Sequence, residues 1–174
     1  MMVKREGLEL ETRQEIHNYI LKNPGLCLNE ISRKLKISKS TLNYHLNYLK
    51  KLGVIIAKST NRYVRFYIVN KVGNGDKKII NIIRQDIPFK IIAYLLLNPN
   101  SSQIEISKFL KKHPTTIAFH LEKLANIDVV TGKPRGNEIN YKIKNEEEIF
   151  GLLDKYKDSF FDDTVDYILS SLFK

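Results

Sequence analysis

Slid against itself by 75 positions, this 174-residue chain matches its own sequence without a gap: 16–70 falls on 91–145 with 18 identities in 55 pairs. The matches include Asn23/Asn98, Pro24/Pro99, Glu30/Glu105, Ile31/Ile106, Ser32/Ser107, Thr41/Thr116, His45/His120, Leu46/Leu121, Leu49/Leu124 and Val54/Val129. A repeat of this period means copies of one supersecondary unit. The chain therefore reads as two copies of a unit of about 60 residues, followed by a C-terminal extension.

Each copy has the same local grammar. In the first, Ile16, Tyr19 and Ile20 keep helical spacing, and Asn23-Pro24-Gly25 stops the helix. Leu28, Ile31 and Leu35 then share one face of a short helix. Ser38 is placed to cap a third helix, in which Leu42, Leu46 and Leu49 form an apolar stripe. Gly53 is placed to end that helix in the left-handed conformation. Two β-branched and aromatic runs around Ser59-Thr60-Asn61-Arg62 read as a hairpin. The second copy repeats the order, with Pro114 in the first turn of its third helix and Lys133-Pro134-Arg135-Gly136 as its hairpin turn. Between the copies, a Gly73-Asn74-Gly75-Asp76 turn is expected before a helical stretch.

Charge separates the copies. The formal net charge of +10 resolves into +11 for residues 1–85, +4 for 86–144 and −5 for 145–174. A basic excess confined to one copy points to a polyanion as that copy's partner. Between Arg33 and Asp76 there is no acidic residue at all.

A helix of this kind fits the major groove of B-DNA and reads base edges with its outer face. With Leu42, Leu46 and Leu49 inward, the first copy presents Lys39, Ser40, Asn43, Tyr44, Asn47 and Lys51. Asn can bond bidentately to adenine, Ser and Tyr can reach bases or phosphates, and the two lysines would meet phosphates near the helix ends. On the hairpin, Lys58, Arg62 and Arg65 are expected to contact the backbone or the minor groove. Tyr63, Phe66 and Tyr67 are expected to be sheet and core aromatics. In the second copy Ala118, Phe119 and Glu122 replace Asn43, Tyr44 and Asn47, which weakens direct readout. Lys111, Lys112, Thr115, Lys133 and Arg135 remain as candidate secondary contacts, and the Ala118/Phe119 face suits a protein partner.

No metal site or cofactor is expected. His45 and His120 recur at one repeat position, but His17 and His113 do not repeat, and Cys27 is the single cysteine. We expect the recurring histidines to pack partly and to bond backbone or phosphate. Enzymatic activity is not expected, since no phosphate loop, G-x-S-x-G or H-E-x-x-H pattern occurs. The longest apolar run, Ile91 to Leu97, is too short for a membrane helix, which needs about 20 residues. The opening MMVKREGLELET lacks an apolar signal-peptide core. A cytoplasmic, nucleoid-associated protein is expected.

The stretches EISRKLKISKSTLNYHLNYLKKLGVI and EISKFLKKHPTTIAFHLEKLANIDVV resemble winged-helix transcription regulators of the ArsR/MarR-like superfamily, and the tandem arrangement resembles regulators found in archaea. The resemblance implies sequence-specific operator binding, with Ser40, Thr41, Asn43, Tyr44 and Asn47 at the base-reading positions. The thiolate clusters of the superfamily's metal-sensing branch are absent.

The expected fold is mainly α with small β-hairpin wings. Two winged-helix domains, 8–70 and 88–144, flank a linker at 71–87 and precede a helical tail at 145–174. In the tail, Ile149, Leu152, Leu153 and Tyr156 form one apolar face, with a second helix expected around Val165, Ile168, Leu169 and Leu172. That face either covers the chain's own core or pairs with another chain; we expect a homodimer on double-stranded DNA. The rival expectation is a structural or interaction protein of chromosome condensation or the basal transcription machinery.

Overall fold

The computed structural model describes residues 11–60 and 63–160. It divides into two compact units, 1–77 and 78–174. Each contains a set of three helices and a three-stranded antiparallel sheet in the winged-helix order, and the second carries further helices.

In the first unit α1 (Glu11–Lys22) ends at Asn23, whose backbone and side-chain nitrogens both donate to the Tyr19 carbonyl at 2.9 Å. A two-residue strand, β1 (Leu26–Cys27), leads directly into α2 (Leu28–Leu35). The Cys27 N–H donates to Glu30 Oε2 at 2.7 Å, satisfying one otherwise orphaned amide at the helix start. Lys36, at φ 55°, turns the chain out of α2, and the Ser32 hydroxyl donates across the turn to the Ile37 carbonyl at 2.7 Å. Helix α3 (Lys39–Lys51) begins at Ser38, whose Oγ accepts from the Thr41 N–H at 3.2 Å. Gly53 at φ +64° ends it as expected. Strands β2 (Ile55–Ser59) and β3 (Val64–Ile68) form the hairpin, and β3 also pairs with β1. Ile16, Ile20, Ile31, Leu42, Leu46, Leu49, Ile55, Phe66 and Ile68 close one core.

Helix α4 (Asn74–Ile83) begins where a turn was expected: Asn74, Gly75 and Asp76 are its first residues, with the Asp76 carboxylate suited to that end of the helix dipole.

The second unit repeats the first. Helix α5 (Asp86–Leu97), strand β4 (Ser101–Ser102), α6 (Gln103–Leu110) and α7 (Pro114–Ala125) precede strands β5 (Val130–Arg135) and β6 (Glu138–Ile143). The same devices recur. The Ser102 N–H donates to Glu105 Oε2 at 2.7 Å, and the Ser107 hydroxyl to the Lys112 carbonyl at 2.6 Å. Lys111 is left-handed at φ 51°. Asp128, standing where the first unit has Gly53, holds φ 62°, and its carboxylate accepts from Lys144 Nζ at 2.6 Å. That bond, before any other influence, holds the Asp128 carboxyl below its ordinary pKa.

Two local expectations are corrected. Lys133, Pro134 and Arg135 belong to β5, because Arg135 pairs with Glu138 and the turn shrinks to Gly136 (φ +60°) and Asn137. The small third strands β1 and β4 were not expected. Two residues are too few to show an alternating pattern.

Helix α8 (Glu146–Lys155), capped by the Asn145 side chain, carries the expected acidic first turn. Its face of Ile149, Leu152, Leu153, with Tyr156 beyond, is buried within the chain. A short helix α9 (Lys157–Phe160) follows. Arg84 donates to the Ser159 carbonyl at 3.4 Å and to its hydroxyl, and its guanidinium lies over the Phe160 ring. The described tail thus covers the chain's own apolar surface, so this face is not the one left for a second chain. The expected helix at 165–172 lies outside the described residues. Among the described residues no helix is long and apolar enough to cross a membrane.

Candidate nucleic-acid interface

Helix α3 buries Leu42, Leu46 and Leu49 and leaves Lys39, Ser40, Asn43, Tyr44, Asn47 and Lys51 exposed. Tyr44 is 62% exposed. Ser40, Asn43, Tyr44, Asn47 and Lys51 form one outer strip away from the stripe at 42, 46 and 49, and Lys39 flanks it in the first turn. Thr41 is exposed too, but it falls on the flank shared by His45 and Tyr48, four and seven residues on. Its hydroxyl is 2.8 Å from the Ser38 hydroxyl, which also lies 3.0 Å from Ser40 Oγ. The start of α3 is therefore held by a small hydroxyl cluster.

The wing departs from expectation at Arg65. This residue is 3% exposed, its Nη1 donates to the Gly25 carbonyl at 2.6 Å, and it lies 3.7 Å from Glu30 Oε2. It is a structural cation joining β3 to the approach to β1, not a contact for an external polyanion. Sequence spacing could not separate it from Lys58, its direct cross-strand partner, which is exposed. Arg62 lies outside the described residues. Phe66 and Tyr67 are core aromatics as expected, whereas Tyr63 is exposed.

In the second unit α7 buries Ile117, Leu121 and Leu124. Its outer face presents Phe119 at 61% exposure beside exposed Glu122. Phe109 on α6 is 65% exposed and Ile104 is exposed as well. Lys111, Lys112 and Thr115 are exposed around the turn into α7, with the Thr115 hydroxyl 2.8 Å from His113 Nδ1. Lys133 and Arg135 are exposed along β5. At Gly132, on the core side of these two in the strand, a Cβ would meet the Ile139 side chain at Cγ2 at 2.7 Å, so any side chain there requires Ile139 to shift.

His45 and His120 are half-buried, and each has its Nδ1 buried without a hydrogen-bond partner. The backbone bond expected for them is absent. Burial, then the Arg13 charge, pushes His45 below the ordinary imidazole pKa; burial, then Lys123, does the same to His120. Each stands edge-on to its neighbouring ring, Tyr44 at 5.3 Å and Phe119 at 5.2 Å. Cys27 is buried, and that burial is the main cause of its raised thiol pKa. Among the described residues no three His, Cys, Asp or Glu side chains are grouped as a metal would require.

The chain belongs to the winged helix-turn-helix DNA-binding family, whose model matches it twice, at residues 9–56 and 84–131, together more than half its length. Among its relatives, an uncharacterized HTH-type transcriptional regulator of Methanocaldococcus jannaschii is 35% identical over 133 residues, covering 76% of this chain and 33% of that protein. A second such regulator from the same organism is 32% identical over 72 residues, 41% of this chain and 78% of its own length. The cadmium resistance transcriptional regulatory protein of Listeria innocua is 31% identical over 80 residues, 46% of this chain and 62% of its own length. The chain thus spans about one third of the first of these relatives.

Proposed function

We propose that this chain is a sequence-specific, double-stranded-DNA-binding transcription regulator whose first unit does the reading. The observation that carries the reading is the outer strip of α3 with its flanking Lys39: six exposed polar or basic side chains in a segment without an acidic residue from Arg33 to Asp76. In this reading α3 lies in the major groove, with Asn43 and Asn47 on base edges and Ser40 and Tyr44 on bases or phosphates. Lys39 and Lys51 neutralise phosphates at the two ends, Thr41 serves the helix start, and Lys58 with Arg62 takes the backbone or minor groove at the wing. Lys111, Lys112, Thr115, Lys133 and Arg135 supply secondary backbone contacts.

A different role is favoured for the outer face of α7, where exposed Phe119 and Glu122 suit a protein surface better than a phosphate wall. Homodimerisation on a two-fold operator and a cytoplasmic, nucleoid-associated, non-catalytic existence complete the proposal. Cadmium, named for the Listeria relative, is not carried over: that soft ion seeks thiolates, and this sequence holds one buried Cys.

The deciding experiment is genome-wide recovery of DNA bound by the full chain, followed by competition between recovered and scrambled duplexes. A few discrete sites with strong preference over scrambled DNA support a regulator. Uniform coverage without preference favours the chromosome-structure reading instead.

A further inference from the structure

Arg13 on α1 is a buried cation without a counter-ion. It is 7% exposed, its Nε is buried with no hydrogen-bond partner, and among the described residues no carboxylate pairs with it. Its guanidinium lies over the Tyr48 ring of α3, 3.7 Å from the centroid. A ring face offsets part of the cost of burying a charge, but it leaves the planar N–H edge unserved. On the same flank of α3, one turn before Tyr48, His45 also keeps an unpartnered buried Nδ1. Buried polar atoms are ordinarily satisfied, so the Arg13 Nε–H calls for an acceptor from outside the chain; the His45 Nδ1 adds nothing to this, since His120 shares it in the second unit.

The second unit provides an internal control. At the same offset Arg13 becomes Pro88 and Tyr48 becomes Lys123. Lys123 Nζ donates to Gln85 Oε1 at 3.0 Å, so the cation beside His120 already has its acceptor. The unserved guanidinium belongs to the first unit alone, the same unit that carries the basic excess.

We propose that the Arg13 guanidinium of the first unit, set over the Tyr48 ring and beside His45, binds one phosphate group, supplied by the DNA backbone beside the groove that α3 reads. With an outward movement of the Arg13 side chain that uncovers Nε, a phosphate takes the Nε–H and one Nη–H together, the bidentate geometry for which a guanidinium is suited. This position borders the reading strip, because Tyr48 follows exposed Tyr44 by one helical turn. The wall of phosphates flanking the major groove runs along such a border. The source of the phosphate rests on the DNA-binding reading above; the phosphate chemistry does not.

Two measurements on the full chain test it. In the first, inorganic phosphate and then mixed-sequence duplex DNA are titrated while the Arg13 Nε–H resonance is followed by NMR. In the second, the salt dependence of duplex binding is compared for the wild type, Arg13→Met and Arg13→Lys. The expected results are a shift of the Nε–H resonance with both ligands and, for Arg13→Met, a log-log salt slope shallower by about 0.9, the value for one lost phosphate contact. Arg13→Lys should keep most of that slope but bind inorganic phosphate more weakly, since it lacks the fork.

A folded Arg13→Met with an unchanged slope, together with a silent Nε–H resonance, overturns the site. A resonance that answers to inorganic phosphate but not to duplex, with an unchanged slope, overturns the backbone assignment and makes Arg13 a site for a free phosphate-bearing molecule. If Arg13→Met does not fold, the wild-type titrations decide by the same criteria. Absence of any duplex binding by the wild type removes the DNA-binding reading, and the inorganic phosphate titration then decides the site by itself.

Discussion

The guanidinium of Arg65 donates to the carbonyl of Gly25 at 2.6 Å across 40 residues of chain. Gly25 is itself left-handed, at φ 77°, where the chain turns from α1 into β1. One side chain thus fastens the middle of the wing to the entrance of the helix-turn-helix, with Glu30 of the α2 start nearby at 3.7 Å. A position that looks like a wing contact in sequence is an internal tie.

Arg65→Met should therefore cost stability and leave DNA binding electrostatics alone. Removing the donor strands a buried carbonyl, a loss of about 1–3 kcal/mol. Denaturant unfolding should show a lower midpoint at constant slope, while the salt dependence of duplex binding stays at the wild-type value. A shallower salt slope with unaltered stability would return Arg65 to the DNA surface.

Asn43→Ala and Asn47→Ala should act in the opposite way. Both side chains are exposed on α3, so stability should change little. Each bidentate Asn–adenine pair carries about 1–3 kcal/mol of discrimination. Competition binding should show preference for a recovered site falling about tenfold or more per variant while affinity for scrambled duplex holds. Equal losses on both duplexes would make α3 a backbone clamp.

Stability should fall on mild acidification. His45 and His120 are both held below the ordinary imidazole pKa by burial first and by a neighbouring cation second. The unfolded chain then binds protons that the folded chain refuses. The contribution is present above about pH 6.5, the unfolded value, and is lost as pH falls through the lower folded values. Urea midpoints measured across this range should drop toward acid, and the His45→Gln/His120→Gln variant should flatten the drop. An unchanged pH profile in the double variant would place the acid sensitivity elsewhere.

Deleting 146–174 should destabilise the second unit rather than release soluble monomers. The deletion removes the buried Ile149, Leu152, Leu153 and Tyr156, each worth about 1.5–3 kcal/mol of burial, against a typical domain stability of about 5–15 kcal/mol. Differential scanning calorimetry should show one transition weakened or missing, with aggregation. A soluble truncated chain with both transitions intact would mean that the tail covers nothing essential.

What the chain determined by itself was most of what depends on local spacing. The 75-residue offset, the stripes at Leu42, Leu46 and Leu49 and at their counterparts, the Ser38 cap and the Gly53 stop are all legible because helices and caps follow short-range rules. The outer strip of α3 followed from the same periodicity. Several residues identical in the repeat prove to be scaffold: Glu30 and Glu105 cap helices, and Ser32 and Ser107 brace the turn. On the outer faces of α3 and α7 the two units differ, with Asn43 against Ala118 and Asn47 against Glu122.

Tertiary structure decided what becomes of charges and apolar faces whose partners are distant in sequence. It buried Arg65 against Gly25, set Arg13 on Tyr48 without a counter-ion, and laid the tail's apolar face within the chain. The reason is physical. Whether a lysine or arginine remains in water depends on which carbonyl, carboxylate or ring the fold brings within a few ångströms, and no local pattern encodes that meeting.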